Sequence, residues 1–446
     1  MAGKLEVLQV TESGDAPGLL YAAIDKPRVG ARDSGHEGWS LDVRGSAVGA
    51  GDPVTHVEFI AAGTVIHTAA CDAPRPTLAA ERPDLKAADR SGFYATLGGL
   101  DLRPEFELRV NAILAGGGRA PIGTITGRRE RLATSFEPRM QPLLVTGPGR
   151  SGSTIFMQML AGHPAILAWP PFEQEPRVVT YWIEVLRALA RPDSFMRQVA
   201  PAGSLNDDWW LGRRDPRPRA LGEADVQAWL AGQAVEELAA FAQARIESLY
   251  GRLAARDKRD GVVYFAEKLR NDIASDLAWE LYPDAREVVL VRDPRDVLCS
   301  VMAANVKRGQ RPPPENPARW IAEEFEGRIT AVADSWERRR DQAHLVRYED
   351  LMLDPAPTLT RLLEYLGIDA GDAAVRQMLA GAAGSLPGMS EHRTTPDPQA
   401  SIGRFTRDLD PALLEECERR LGHAIALFGY PPAAARPDPS ATREFG

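Results

Sequence analysis

The sequence predicts two domains of different class: an all-β sandwich, then an α/β domain with a parallel sheet flanked by helices. Three observations carry this. At 446 residues the chain is too long for one ordinary domain. Its first third alternates apolar and polar residues at the period of half-buried strands. Beyond the polar stretch GRRERLATSFEPRMQ, short wholly apolar runs alternate with helical patterns, as they do where a parallel sheet is covered on both faces.

The β part is assigned to residues 1–132. In WSLDV (39–43), Trp39, Leu41 and Val43 face inward while Ser40 and Asp42 face outward. FELRVNAIL (106–114) repeats the alternation, and VTHVEFIAAGTVIHTA (54–69) reads as a hairpin turning at Ala61-Ala62-Gly63. About seven such strands, punctuated by Gly, Pro and Asp, make a sandwich. It holds no cluster of candidate catalytic residues, so an accessory scaffold or a glycan- or partner-binding module is expected.

The α/β domain is assigned to residues 140–432. LLVT (143–146), VVYFA (262–266), EVVLV (287–291) and HLVRY (344–348) are its apolar strands. STIFMQMLAGHP, NDIASDLAWELYPDA and PTLTRLLEYLGI are helical between and after them. Residues 181–260 read as a helical acceptor-side insertion, broken at NDDWWLGRRDPRPR. Trp209 and Trp210 there suit either a wall that stacks on a sugar or the core. Residues 433–446 read as a disordered tail.

Hydrophobic residues at 44% and charged residues at 26% describe a soluble globular protein. A net charge of −9 argues against general nucleic-acid binding and leaves room for a local anion pocket. Cys71, Cys299 and Cys417 are far apart, neither a disulfide framework nor a zinc cluster, which suits a reducing, cytoplasmic setting. The opening MAGKLEVLQVTESGD lacks a signal-peptide core, and no apolar run is long enough to span a membrane. Abundant Ala, Gly, Pro and Arg suggest a bacterial source.

Chemistry concentrates in a few stretches. GPGRSGST (147–154) follows strand LLVT and opens a helix, so backbone N–H groups and the helix's positive end surround one anion. A triphosphate-binding loop would carry lysine where Ser153 stands, which argues against ATP or GTP hydrolysis. VVLVRDPRDVLCSV (288–301) delivers Arg292 at a strand's carboxyl end, with Ser300 on the next helix. An arginine and a hydroxyl there make a second anion site, unless Arg292 only pairs with Asp293 or Asp296. Two anion sites on one sheet suggest a nucleotide with phosphates at both ends of its ribose.

At this point a resemblance emerges. TGPGRSGSTIFMQMLAGHP resembles the 5′-phosphosulfate loop of the sulfotransferases that use 3′-phosphoadenosine 5′-phosphosulfate (PAPS), and VVLVRDPRDVLCSV resembles their 3′-phosphate motif. HLVRYEDLMLDPAPTLTRLLEYLGI is similar to the family's C-terminal strand and helix. The resemblance implies the sulfotransferase fold, PAPS as co-substrate, and metal-independent transfer to a hydroxyl or amine. It puts Arg150, Ser151, Gly152, Ser153 and Thr154 around the 5′-phosphosulfate and Arg292 and Ser300 on the 3′-phosphate. Phenol- and steroid-directed members carry lysine where Arg150 stands; arginine is usual in carbohydrate-directed and bacterial branches.

In-line sulfuryl transfer rests on positioning and charge stabilisation, and the acceptor must lose a proton to a base. AWPPFEQEPRVVTYW supplies Glu175, with Glu173 as the other candidate, where the family has its glutamate base. His163, in GHP, fits a helix end better. FAEKL puts Glu267 and Lys268 at the carboxyl edge of a strand. It looks like the family's E-K-[ST]-P stretch, whose lysine approaches the sulfuryl group, although Leu269-Arg270 replace the Ser/Thr-Pro; otherwise it is a surface ion pair. ASIGRFTRDL resembles the loop that closes over the nucleotide, with Arg404 at the 3′-phosphate and Phe405 near the adenine; His392 and Arg393 would line the acceptor side. The expected acceptor is a small molecule or glycan: a carbohydrate, a glycolipid or another metabolite. The alternatives are a P-loop kinase-like transferase, or an inactive glycan- or partner-binding protein. Nothing in the sequence indicates an oligomeric state.

Overall fold

The computed structural model describes residues 4–14, 16–29, 38–169, 177–190, 224–269, 276–307, 309, 317–383, 394–395 and 397–433. The chain divides into two compact units. One comprises Met1–Phe136, Tyr181–Ala244 and Ser275–Leu281; the other comprises Glu137–Thr180, Arg245–Ala274 and Tyr282–Gly446.

The first unit is built on eight antiparallel strands: β1 (Leu5–Glu12), β2 (Leu19–Lys26), β3 (Ser40–Gly49), β4 (Val54–Ala61), β5 (Thr64–Ala73), β6 (Gly92–Gly98), β7 (Glu105–Leu114) and β8 (Arg119–Arg129). Their order is β1-β8-β7-β4-β5-β6-β3-β2, one strand more than the pattern suggested. The first part of β5 pairs with β4, and its last residues, Cys71 and Ala73, pair with β6, so the sheet doubles over at this strand. Its two ends meet again: the Ile24 N–H donates to Glu12 Oε1 at 2.8 Å. The alternation read from the sequence fills the space between the layers. Trp39, Leu41 and Val43 are fully buried, as are Leu108, Val110 and Ala112, with the edge-on pair Phe59 and Phe93 among them. The β4–β5 hairpin turns at Ala62 and Gly63, both at positive φ, as a two-residue turn between twisted strands requires.

Helical segments complete this unit. A short helix, α1 (Pro76–Glu81), lies between β5 and β6. In the buried pair Arg129–Glu280, the guanidinium donates to Glu280 at 2.7 and 2.6 Å while the Leu132 N–H donates to the same carboxylate at 2.7 Å. Three donors, two of them on a paired cation, meet the two oxygens of that carboxylate, which is what permits its burial. Arg187 donates to Asp101 at 2.9 Å, and the Trp39 N–H donates to the Ala231 carbonyl at 3.2 Å. Within the segment read as an insertion, the described residues 181–190 and 224–244 thus cluster with the antiparallel sheet and 245–260 with the second unit.

The second unit carries five parallel strands in the order β10-β11-β9-β12-β13: β9 (Gln141–Thr146), β10 (Ile166–Ala168), β11 (Tyr264–Leu269), β12 (Arg286–Val291) and β13 (Ala343–Arg347). Four are the strands expected; the edge strand β10 adds three residues. β12 shows why they read as continuous apolar runs. Val288 and Leu290 enter one core with Phe156, Leu359 and Leu362, whereas Val289 and Val291 enter another with Val297, Phe325 and Leu421. Helices α2 (Ser153–Ala161) and α3 (Pro355–Leu366) supply the first core; α4 (Pro294–Lys307) and α5 (Pro411–Leu427) supply the second. Among the described residues, no helix is long and apolar enough to cross a membrane.

Candidate functional site

Parallel strands end on one side, and there the second unit gathers its polar groups. The loop 147–154 joins β9, the central strand, to α2. Two glycines hold its shape. At Gly147 (φ 153°) a Cβ would sit 2.2 Å from the Leu290 carbonyl oxygen, and at Gly152 (φ 87°) it would sit 2.4 Å from the Tyr348 ring. Gly152 precedes the first turn of α2, where Ser153 and Thr154 are its first two residues. The helix therefore begins with unpaired N–H groups and its positive end at the loop. Arg150 is itself left-handed (φ 73°), an uncommon conformation for a residue with a side chain.

The second cluster closes onto the first. Arg292 follows β12 and is 5% exposed, with its guanidinium over the Tyr348 ring at 4.7 Å. It donates to the Ser401 carbonyl at 2.6 Å and to the Arg150 carbonyl at 3.4 Å. Ser300, on α4, accepts from Arg150 Nε at 3.2 Å and lies 3.4 Å from the Thr394 hydroxyl. Arg404 donates to the same Thr394 hydroxyl at 3.1 Å and to Asp408 at 2.6 Å. Arg150, Arg292, Ser300 and Arg404 thus form one connected group. The nearby acids are engaged elsewhere. Asp293 takes a forked pair of bonds from Arg295, and Asp296 accepts the Gly403 and Phe405 N–H groups at 2.6 and 3.0 Å. Burial raises the Asp296 carboxyl to about 6, against the opposing charge of Arg292.

Two of the ten buried side-chain polar atoms that lack a hydrogen-bond partner among the described residues lie here, the Ser151 hydroxyl and Arg292 Nε. Buried donors are rarely left so, and an anion in the cradle would satisfy them.

Lys268, near the end of β11, donates to the Thr154 hydroxyl at 3.2 Å, so it reaches the loop. Its neighbour Glu267 is no surface partner. It is 2% exposed and accepts the Val178 N–H at 2.9 Å, the Val179 N–H at 3.0 Å and the Tyr250 hydroxyl. Desolvation lifts its carboxyl to about 7, opposed by these donors. His163 is buried between the Asp369 carbonyl and the Ala165 N–H, a helix-end role as expected. Phe405 differs from expectation: it is fully buried in the second core beneath the Arg295 guanidinium, at 4.2 Å, and has no exposed face for a base. Glu173, Glu175, Trp209, Trp210, His392 and Arg393 lie outside the described residues. The sequence reading missed Tyr348, Thr394 and the Asp296 clamp. Tyr348 had one signal, its position immediately after a strand parallel to β9.

Among described residues no three His, Cys, Asp or Glu side chains group as a metal site. A model of the sulfotransferase family matches residues 142–372. No protein of curated description matches the chain. Among solved structures, the sulfotransferase domain from the curacin biosynthetic pathway is similar at 18% identity over 64% of this chain and 98% of that one, with a TM-score of 0.38. The sulfotransferase domain of the Synechococcus PCC 7002 olefin synthase shares 20% identity over 66% and 98%, with a TM-score of 0.38. Mouse sulfotransferase SULT7A1, complexed with PAP, shares 12% over 67% and 91%, with a TM-score of 0.34.

Proposed function

The chain belongs to the sulfotransferase family, and from that premise we propose that it moves a sulfuryl group from PAPS to a hydroxyl of a carbohydrate, glycolipid or other metabolite. One observation carries the reading: the glycine loop and the Arg292–Ser300 cluster are joined through Arg150, whose side chain donates to Ser300 and whose carbonyl accepts from Arg292. The joined clusters suit a ligand anionic at two points, and the unsatisfied Ser151 hydroxyl and Arg292 Nε fit such a ligand. Gly147 and Gly152 leave the room beside the backbone that a closely held phosphate needs.

Under this reading the N–H groups of 150–154 with Ser151, Ser153 and Thr154 hold the 5′-phosphosulfate, and Arg292, Ser300 and Arg404 hold the 3′-phosphate. Arg150 spans both and stabilises charge growing on the leaving phosphate oxygen. Lys268, hydrogen-bonded to Thr154, attends the transferring group. Glu175, or else Glu173, takes the acceptor's proton, and no step requires a metal. Three buried free thiols are consistent with work in the cytoplasm.

Isothermal titration tests the nucleotide. Adenosine 3′,5′-bisphosphate should bind without magnesium, and Arg292→Ala should weaken it about 10- to 100-fold, the worth of a charged hydrogen bond. Binding of Mg·ATP alone would replace this reading with a kinase-like one. Mass spectrometry of a metabolite extract incubated with enzyme and PAPS identifies the acceptor by its added sulfo group.

A further inference from the structure

Sulfuryl transfer as proposed leaves one buried carboxylate beside the nucleotide cradle without a task. Asp296 lies in the first turn of α4, one turn before Ser300, and is 1% exposed. Its two oxygens are turned onto a distant segment of chain. Oδ2 accepts the Gly403 N–H at 2.6 Å and Oδ1 accepts the Phe405 N–H at 3.0 Å. Those two donors belong to the residues on either side of Arg404.

The rest of the segment is held by other means. Tyr348 donates its hydroxyl to the Pro398 carbonyl at 3.1 Å, and Arg292 donates to the Ser401 carbonyl at 2.6 Å. Gly403 is left-handed (φ 71°), so the chain turns just before the arginine. Phe405 is fully buried in the second core just after it. Asp296 fastens the stretch between, and the place of the Arg404 guanidinium follows from where its backbone is fastened. From there the side chain reaches Thr394, which also meets Ser300. A carboxylate suits this task, because it accepts on both oxygens. An amide of the same shape would accept on one side and turn its own N–H groups against a buried N–H on the other. Charge alone argues against an acid here. Asp296 interacts electrostatically with Arg292, and an anion beside that arginine repels a phosphate. Its geometrical task must outweigh that repulsion.

We infer that Asp296 is a positioning residue of the nucleotide site: by clamping the N–H groups on either side of Arg404 it presets that arginine for the 3′-phosphate. The inference rests on the nucleotide reading above and deepens it. Calorimetric titration of the full chain with adenosine 3′,5′-bisphosphate tests it by sign. Removing an anion from beside a phosphate should tighten binding, whereas removing a clamp should weaken it. Asp296→Asn should raise Kd about tenfold, the worth of a hydrogen bond to a charged group. Adenosine 5′-monophosphate, which lacks the 3′-phosphate, should bind wild type and variant within about twofold. Arg404→Ala should weaken the bisphosphate by a similar factor, and the double variant should bind about as the single ones do, since each removes the same contact. Tighter or unchanged bisphosphate binding in Asp296→Asn, an equal loss for both nucleotides, or losses that multiply in the double variant would each overturn the inference. If Asp296→Asn does not melt cooperatively, hydrogen exchange of the wild-type chain decides. The Gly403 and Phe405 amides should slow about tenfold on adding the bisphosphate, and unchanged exchange would overturn the inference. Failure of the wild-type chain to bind the bisphosphate removes the nucleotide reading and this inference with it; equal binding by wild type and variant removes this inference alone.

Discussion

The two sheets distribute chemistry in opposite ways. In the parallel sheet every strand points the same way, so neighbouring carboxyl ends share one edge. β9 delivers the loop 147–154, β11 delivers Lys268, β12 delivers Arg292 and β13 delivers Tyr348, all within reach of one another. In the antiparallel sheet alternate strands end at opposite edges, so neighbours cannot pool their termini. A cavity there is lined by side chains along β2 and β3 and by a connecting segment. Direction of strands, more than residue content, decides where a concentrated site forms.

The sharpest way to break this contrast is at the shared edge. Arg150→Ala should lower turnover about 10²- to 10³-fold, as loss of a charge-stabilising donor does, with melting unchanged; a turnover loss under tenfold would separate Arg150 from the chemistry. Next in size is a pH effect at Glu267. Its carboxyl is raised to about 7 in the fold against an ordinary 4.5, so the native state holds the extra proton between those values. The stability this gives is complete below the ordinary value and is lost as pH rises through about 7. Chemical denaturation at pH 5 and pH 8 should differ by up to about 3 kcal/mol from this group, and Glu267→Gln should remove that share. Asp296, raised to about 6, acts in the same direction and persists in the variant.

A smaller effect sharpens how β13 supports the loop. Gly152→Ala should cost roughly 1–3 kcal/mol through contact with the Tyr348 ring. Tyr348→Leu should recover part of it in a double-mutant cycle. The smallest is the counterpart in the antiparallel sheet. Arg128 and Glu6 form an exposed pair at 2.6 Å, and Arg128→Ala should change stability by less than about 1 kcal/mol and turnover not at all.

Much of this was legible beforehand, for identifiable reasons. Period-two alternation in 106–114 reports one buried face, while in 39–43 the small Ser40, expected outward, is buried as well. Unbroken apolar runs in 287–291 report two. Glycines followed by Ser153 and Thr154 mark an anion cradle because a backbone property is at stake, and backbone needs show in local sequence. What stayed hidden depends on distant partners. FAEKL leaves open whether Glu267 faces the ligand edge or forms a surface ion pair, until Tyr250 and the segment at Val178 close over it. Phe405 follows an arginine that belongs to the site, yet a half-turn of chain puts its ring in the core. Thr394 has no motif; only the chain's return past Ser300 and Arg404 gives it partners. The strand Ile166–Ala168 is too short to show a period.

The ring of Tyr348 against Gly152 carries one further consequence, for the order in which the protein becomes competent. The loop emerges early from the ribosome, but the wall that fits its glycine belongs to the turn after β13, the last strand of the sheet. A nascent chain that has assembled only β9 to β12 has the loop's residues without its buttress. Nucleotide affinity therefore registers completion of the domain: a translation intermediate stalled before Tyr348 carries the whole motif and lacks the mould.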